Sequence, residues 1–222
     1  MENNILLIDK DAGWTSFDVV AKVRNISGEK KVGHAGTLDP FATGLLIVLV
    51  GKDATKRQDE FMKQDKEYEA TLALGKTSST GDPEGEISEF PINNIQFPML
   101  DSGQARMTVE KVLKQFIGEI DQIPPAHSAI KINGKKAYEL ARKGIDPKLK
   151  PRKVHINDLT ILDYSWPFLI IRVQCGSGTY IRSLAADIGE ALGAGAYLTE
   201  LRRTKIGKFD VKDAKKVSEI NF

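Results

Sequence analysis

One cysteine, Cys175, stands in a chain of 222 residues, so no intrachain disulfide can form and a reducing compartment, the cytoplasm, is the expected location. Histidine is almost as scarce. His34, His127 and His155 lie far apart, and with a single thiol they do not supply the ligand spacing of a structural zinc site. No apolar run is longer than Leu45 to Val50, far short of the roughly 20 residues a membrane-spanning helix needs. The N-terminal stretch MENNILLIDKD has neither the basic start nor the apolar segment of about 7 to 15 residues of a secretory signal. Nucleotide-binding signatures are missing too: GxxxxGK[ST] does not occur, no GxGxxG follows a strand, and GSG at 176–178 is too short to count. Without a GxSxG elbow, a serine hydrolase of the common α/β kind has little support.

Charge of one sign is lacking as well, because 32 basic residues nearly cancel 30 acidic ones. The distribution says more than the sum. Basic residues gather at Lys148, Lys150, Arg152 and Lys153, and again at Arg202, Arg203, Lys205 and Lys208. Either cluster could meet phosphates, and either, taken alone, reads more simply as a solvated surface.

What is present is an ordinary globular balance, 41% hydrophobic and 28% charged, in a chain long enough to bury a core. Asn4 to Ile8 reads as a short strand, Lys10 to Thr15 as a tight loop, and Ser16 as the cap of a helix ending at Gly28. Gly44 to Val50 reads as a central buried strand. Lys66 to Leu74 alternates, with Tyr68, Ala70, Leu72 and Leu74 on one face. Thr77 to Glu86 has loop composition. A helix is expected from Thr108 through Phe116, closed by Gly118. The strand around Leu169, Ile171 and Val173 should enter a glycine turn at 176–179, followed by a helix carrying Ile181, Leu184, Ala185, Ile188 and Leu192 on one face. Arg182 then sits beside that turn, off the apolar stripe. Strands and helices are interspersed without regular β-α-β alternation, so the fold class is α+β.

One segment makes unusual local demands: Gly33, His34, Ala35, Gly36, Thr37, Leu38, Asp39, Pro40, then Thr43 and Gly44. The glycines allow backbone angles that a side chain forbids, and Pro40 pushes Asp39 towards an extended conformation. A carboxylate is thereby held at a defined spot. Spacing alone reads equally as a plain turn in which Asp39 bonds its own backbone.

The stretch GHAGTLDPFATGLLIVLVGKDATK (33–56) closely resembles the active-site motif of the TruB family of bacterial tRNA pseudouridine-55 synthases. Lys10 to Ser16, Lys66 to Gly75, Gln122 to Gly144 (QIPPAHSAIKINGKKAYELARKG), Cys175 to Gly193 (CGSGTYIRSLAADIGEALG) and Leu201 to Phe209 (LRRTKIGKF) resemble further blocks of that family, in order. The resemblance covers nearly the whole chain. It implies a pseudouridine synthase fold, a mixed and mostly antiparallel central sheet flanked by helices, over a single catalytic domain 1–222 with an RNA-clasping insertion at about 122–147. It implies isomerisation of a uridine in the T-loop of tRNA, with no cofactor and no metal.

By the same resemblance Asp39 is the catalytic aspartate, acting at ribose C1′ or C2′, with Arg182 as its ionic partner. Tyr68 stacks on the target uracil and helps remove the C5 proton. His34 refills the gap left by the flipped base, Asp82 contacts the RNA loop, and Leu201 forms an apolar wall. Lys131 and Arg142, with Lys135 and Lys136, meet phosphates, and Lys10 and Tyr180 complete the RNA-binding set. The expected partner is the tRNA T stem-loop, with no membrane and no obligate protein partner, the enzyme acting as a monomer. Two departures stand out. Lys10 is followed by Asp11 where the family has proline, which leaves the loop less stiff and more negative. The sequence ends at Phe222, where most members continue into a PUA domain, so none is expected here and RNA affinity should be lower. Two other readings are an RNA-folding chaperone and the catalytic subunit of a guide-RNA-directed ribonucleoprotein, which generally lacks the QIPPAHSA-type insertion.

Overall fold

The computed structural model describes residues 4–91, 102–132 and 134–220. In chain order its strands are β1 (Ile5–Lys10), β2 (Val32–His34), β3 (Thr43–Val50), β4 (Lys66–Leu74), β5 (Lys76–Ser78), β6 (Ile87–Glu89), β7 (Gly118–Gln122), β8 (Lys131–Ile132), β9 (Lys135–Lys136), β10 (Arg152–Ser165), β11 (Phe168–Cys175), β12 (Ala196–Ile206), β13 (Phe209–Asp210) and β14 (Lys215–Lys216). The longer helices are Ser16–Ser27, Ser102–Leu113 and Ile181–Ala191. The expected α+β class, a mixed sheet with antiparallel strands plus helices, is what forms. Among the described residues no helix is long and apolar enough to cross a membrane.

The chain divides into two compact units, residues 1–69, 172–177 and 200–222 in the first, 70–171 and 178–199 in the second. In the first unit the strands run in the order β14, β1, β3, β12, β4, β11. β1 is antiparallel to β3 from Ile5↔Leu49 to Lys10↔Gly44, and β12 joins β3 in parallel at Arg202↔Thr43 and Arg203↔Gly44. The unbroken apolar run of β3 has a simple cause: both of its faces are buried. Leu46, Val48 and Val50 pack with Val19, Val20 and Val23 of helix Ser16–Ser27. Leu45, Ile47 and Leu49 pack on the other side with Ala35, Ala54, Phe61 and Ile206.

The helix cap differs from expectation by one residue. Thr15, with extended backbone, is the N-cap, and a reciprocal pair forms in which its hydroxyl accepts from Asp18 N while Asp18 accepts from Thr15 N. Ser16 is therefore free to turn inward. Its hydroxyl donates to Leu38 O at 3.1 Å and accepts from Leu38 N at 2.9 Å. Gly28 ends the helix in the left-handed region at φ +66, as its position implies.

In the second unit the order is β12, β4, β11, β10, β7, with β10 antiparallel to β7 from Arg152↔Gln122 to Ile156↔Gly118. The helix expected from Thr108 begins at Ser102 instead. Buried Ala105 extends the apolar stripe of Val109, Val112 and Leu113 back by a turn, and the Thr108 hydroxyl bonds the carbonyl of Gln104 as an interior residue does. Gly118 opens β7 at φ +102, with a 3-10 turn Lys114–Phe116 before it. The polar stretch Thr77 to Glu86 is mostly loop, but its ends form the hairpin β5–β6.

Candidate functional site

In the first unit the chain around Asp39 is anchored on both sides. Before it, the buried Arg203 guanidinium donates to Gly36 O at 3.0 Å and Thr37 O at 3.4 Å, and Ser16 brackets Leu38. After it, Pro40 O accepts from Gly13 N at 2.9 Å and from the Lys10 amine at 3.3 Å, and Ala42 N closes back onto Asp39 O at 3.1 Å. Each of these bonds meets a backbone group of the loop, and Asp39 itself sits half-buried.

Lys10 is fully buried, its amine donating to the carbonyls of Asp11, Trp14 and Pro40. Burial pushes that amine down to about 8, with the charge of Arg203 adding to the fall and Asp39, Asp11 and Asp18 opposing it. Because the folded value lies below the ordinary 10.5, the unfolded chain keeps the proton longer, and Lys10 adds stability as pH rises from about 8 towards 10.5. A neutral amine, however, has two N–H groups for three carbonyls. Turnover is therefore expected to fall above about pH 8, a bend that Lys10→Met should abolish. A bend that persists in Lys10→Met assigns it to another group, Lys66 also being pushed to about 8.

Asp11, where proline was expected, does not leave its loop loose. Its carboxylate accepts from the Lys216 amine at 2.6 Å, and β14 pairs in parallel with β1 beside it. A tie to the C-terminal segment replaces the stiffness of the ring. Tyr68 is buried in β4, and burial raises its phenol against the opposing charge of Arg203. Leu201 is buried on the same parity of β12 as Arg203. His34 stacks edge-on to the exposed Phe17 with ring centroids 5.3 Å apart, and burial and Arg203 lower its pKa, so the ring is neutral at pH 7.

In the second unit Arg182 and Asp82 form a buried ion pair at 2.9 Å, their side chains 7% and 4% exposed. Arg182 also donates to Thr80 O and His127 O, while Asp82 accepts from the Thr80 hydroxyl and from Glu84 N. Tyr180 precedes helix Ile181–Ala191. Its backbone N donates to the Gln122 amide oxygen at 2.8 Å and its carbonyl accepts from the Gln122 amide nitrogen at 3.1 Å. Lys131 and Arg142 are exposed, Arg142 lying 5.4 Å over the Tyr138 ring. Residue 133 of the expected insertion lies outside the described residues. The cluster from Lys148 to Lys153 is exposed, with Lys153 paired to Glu119.

Two residues were missed by sequence reasoning. Gln122 is 1% exposed and fixes the turn before Arg182. Arg203 belongs to a cluster read as surface or phosphate-facing, yet it is 1% exposed; its neighbour Arg202 is spent on Asp9 through two bonds of 3.0 Å. Strand alternation with the apolar Leu201 was the signal that Arg203 faces inward. Among the described residues no three His, Cys, Asp or Glu side chains converge as a metal-binding set.

Residues 24–181 match the sequence model of the TruB family pseudouridylate synthase N-terminal domain, and residues 182–221 that of the tRNA pseudouridylate synthase B C-terminal domain. The chain is 48% identical over 213 residues to the tRNA pseudouridine synthase B of Endomicrobium trichonymphae, covering 96% of this chain and 88% of that protein. It is 50% identical over 215 residues to the same-named protein of Desulfotalea psychrophila (strain LSv54 / DSM 12343), covering 95% and 84%. Among solved structures, a chain from the crystal structure of a Cbf5-Nop10-Gar1 complex superposes with a TM-score of 0.72 at 30% identity over 97% of this chain, which spans about half of it, 53%. The ordered motifs, the anchored aspartate loop and these matches agree: the chain belongs to the TruB family of pseudouridylate synthases.

Proposed function

We propose that this protein isomerises uridine 55 in the T-loop of free tRNA to pseudouridine, acting as a monomer on an unguided substrate through a single catalytic domain. The observation that carries the reading is the Asp39 loop, whose backbone is held from both sides so that the carboxylate is presented at a defined place. Asp39 opens the glycosidic bond, either by attack at C1′ or by taking a proton at C2′. The N1–C1′ bond breaks, uracil turns, and C5 bonds to C1′ as Asp39 releases C1′ or returns the C2′ proton; C5 then loses its proton and N1 takes one up, so no net proton is exchanged. No electrons are exchanged.

The base must first leave its stack, at a cost of a few kcal/mol. Tyr68 offers its ring to the displaced uracil; burial keeps its phenol neutral. His34, a flat neutral ring, suits the vacated place, and Leu201 supplies an apolar wall. For Arg182 we assign the counter-charge of the reacting carboxylate, and for Asp82 the task of holding Arg182 in place, since its own carboxylate is buried. Tyr180 completes the turn before Arg182. Lys131 and Arg142 are exposed and free to follow the phosphates.

Relatives at 48 to 50% identity carry the tRNA synthase name, whereas the Cbf5 likeness stands at 30%, which favours the unguided reading. The test is to map pseudouridine in an unmodified tRNA transcript after incubation with the protein alone. One new pseudouridine in the T-loop is expected. Modification elsewhere, or only with a guide RNA, contradicts the proposal.

A further inference from the structure

We infer that Arg203 is a positioning residue of the reaction: its buried guanidinium ties down the backbone that precedes Asp39. The inference rests on the proposed isomerase reading.

Three backbone carbonyls receive this one side chain. Nε donates to Leu45 O at 2.8 Å, Nη2 to Gly36 O at 3.0 Å and Nη1 to Thr37 O at 3.4 Å. Among the described residues no carboxylate pairs with Arg203, although it is 1% exposed. A guanidinium in that position has to be solvated by carbonyl dipoles, and hydrogen bonds to a charged donor are stronger than neutral ones. The carbonyls of residues 36 and 37 are therefore pulled inward, and Asp39 follows two residues later.

The glycines of the motif are shaped to this arginine. Gly36, at φ +98, has the Arg203 Nη1 3.5 Å from where a Cβ would stand. Gly44, at φ +102, leaves no room at all: a Cβ there would lie 2.3 Å from Arg203 O and 2.7 Å from Arg203 N. The close parallel pairing of Gly44 with Arg203 brings the guanidinium under the loop. Tyr68, on β4, lies within the field of the same charge, as do Lys10, His34 and Lys66. One fork of donors thus sets the loop that carries the carboxylate. Lysine could keep the charge, but its single nitrogen cannot stand where Nε, Nη1 and Nη2 separately meet the carbonyls of residues 45, 37 and 36.

The deciding variant is Arg203→Lys, compared with wild type and Asp39→Asn on a T-arm stem-loop in single-turnover assays, with RNA affinity and thermal unfolding measured on the same preparations. The expected result is a cooperatively folded protein whose rate at saturating RNA falls about 100-fold, the size of a small misplacement of reacting groups. RNA affinity should stay within about threefold, the signature of an interaction that acts on the chemical step rather than on binding. An Arg203→Lys protein with near wild-type rate overturns the inference, as does a rate loss fully accounted for by weaker RNA binding. Failure of this variant to fold also overturns it, since the arginine would then serve folding. If wild type itself forms no pseudouridine, the functional reading fails and not merely this role.

Discussion

Asp39→Asn is expected to lower pseudouridine formation by at least about ten-thousand-fold, the scale on which removing an essential catalytic carboxylate or nucleophile acts. RNA affinity should change by less than about threefold. The reasoning is local. Asparagine keeps the shape of aspartate, and the loop is held by bonds to the backbone of residues 36 to 40 and to Ala42, none of which uses the carboxylate. What is lost, on the proposed reading, is the charge that attacks C1′ or takes a C2′ proton. Single-turnover rates and filter binding on one stem-loop RNA separate the two effects. A variant within tenfold of wild type removes Asp39 from the mechanism, and a variant that no longer binds RNA makes it a folding or contact residue. The same protein addresses the chaperone reading: tRNA folding restored in cells by Asp39→Asn would give binding a role of its own.

Asp82→Ala should cost about 3 to 5 kcal/mol of stability, because it strands a buried cation rather than trimming a surface contact. The pair it breaks is 2.9 Å long with both side chains almost fully enclosed, so solvent screening does not discount it as it does the exposed Lys56–Asp53 or Arg57–Glu60 pairs. Thr80 and Glu84 N lose their acceptor in the same substitution. Turnover should fall too, by about 100-fold in the fraction that folds, as Arg182 loses its orientation. Urea unfolding checks the first figure and single-turnover kinetics the second. Unfolding within about 1 kcal/mol of wild type would mean that Asp82 holds nothing.

Much of this arrangement can be read from the residues in order. β3 announces itself as an uninterrupted apolar run because it is buried on both faces, and β4 shows strict alternation from Lys66 to Leu72 because one face is buried and the other less so. Helix Ile181–Ala191 shows its stripe for the same reason. The motif around Asp39 signals its glycine and proline demands, but not what imposes them. That agent, Arg203, lies more than 160 residues away in sequence and reaches the loop only through the parallel pairing of β12 with β3. Local composition does not encode such a pairing, so the arginine reads as one more surface charge. The cap shifted from Ser16 to Thr15 for a related reason: both residues suit the position, and a tertiary contact, the bond to Leu38, decides between them. Alanine at 105 hid the first turns of helix Ser102–Leu113, being too small to register as part of an apolar stripe. Asp11 is the converse case, a departure that looks costly in sequence and is offset by Lys216 from the far end of the chain.

The central claim is that one backbone-anchored carboxylate rearranges a uridine without help from a guide or an added cofactor. The most direct measurement is release of tritium from a T-arm stem-loop labelled at C5 of its uridines, with purified protein and buffer alone. Forming the new C5–C1′ bond expels that hydrogen, so release equal to one uridine per RNA is expected from wild type and essentially none from Asp39→Asn. No release from wild type, or equal release from both proteins, would contradict the account.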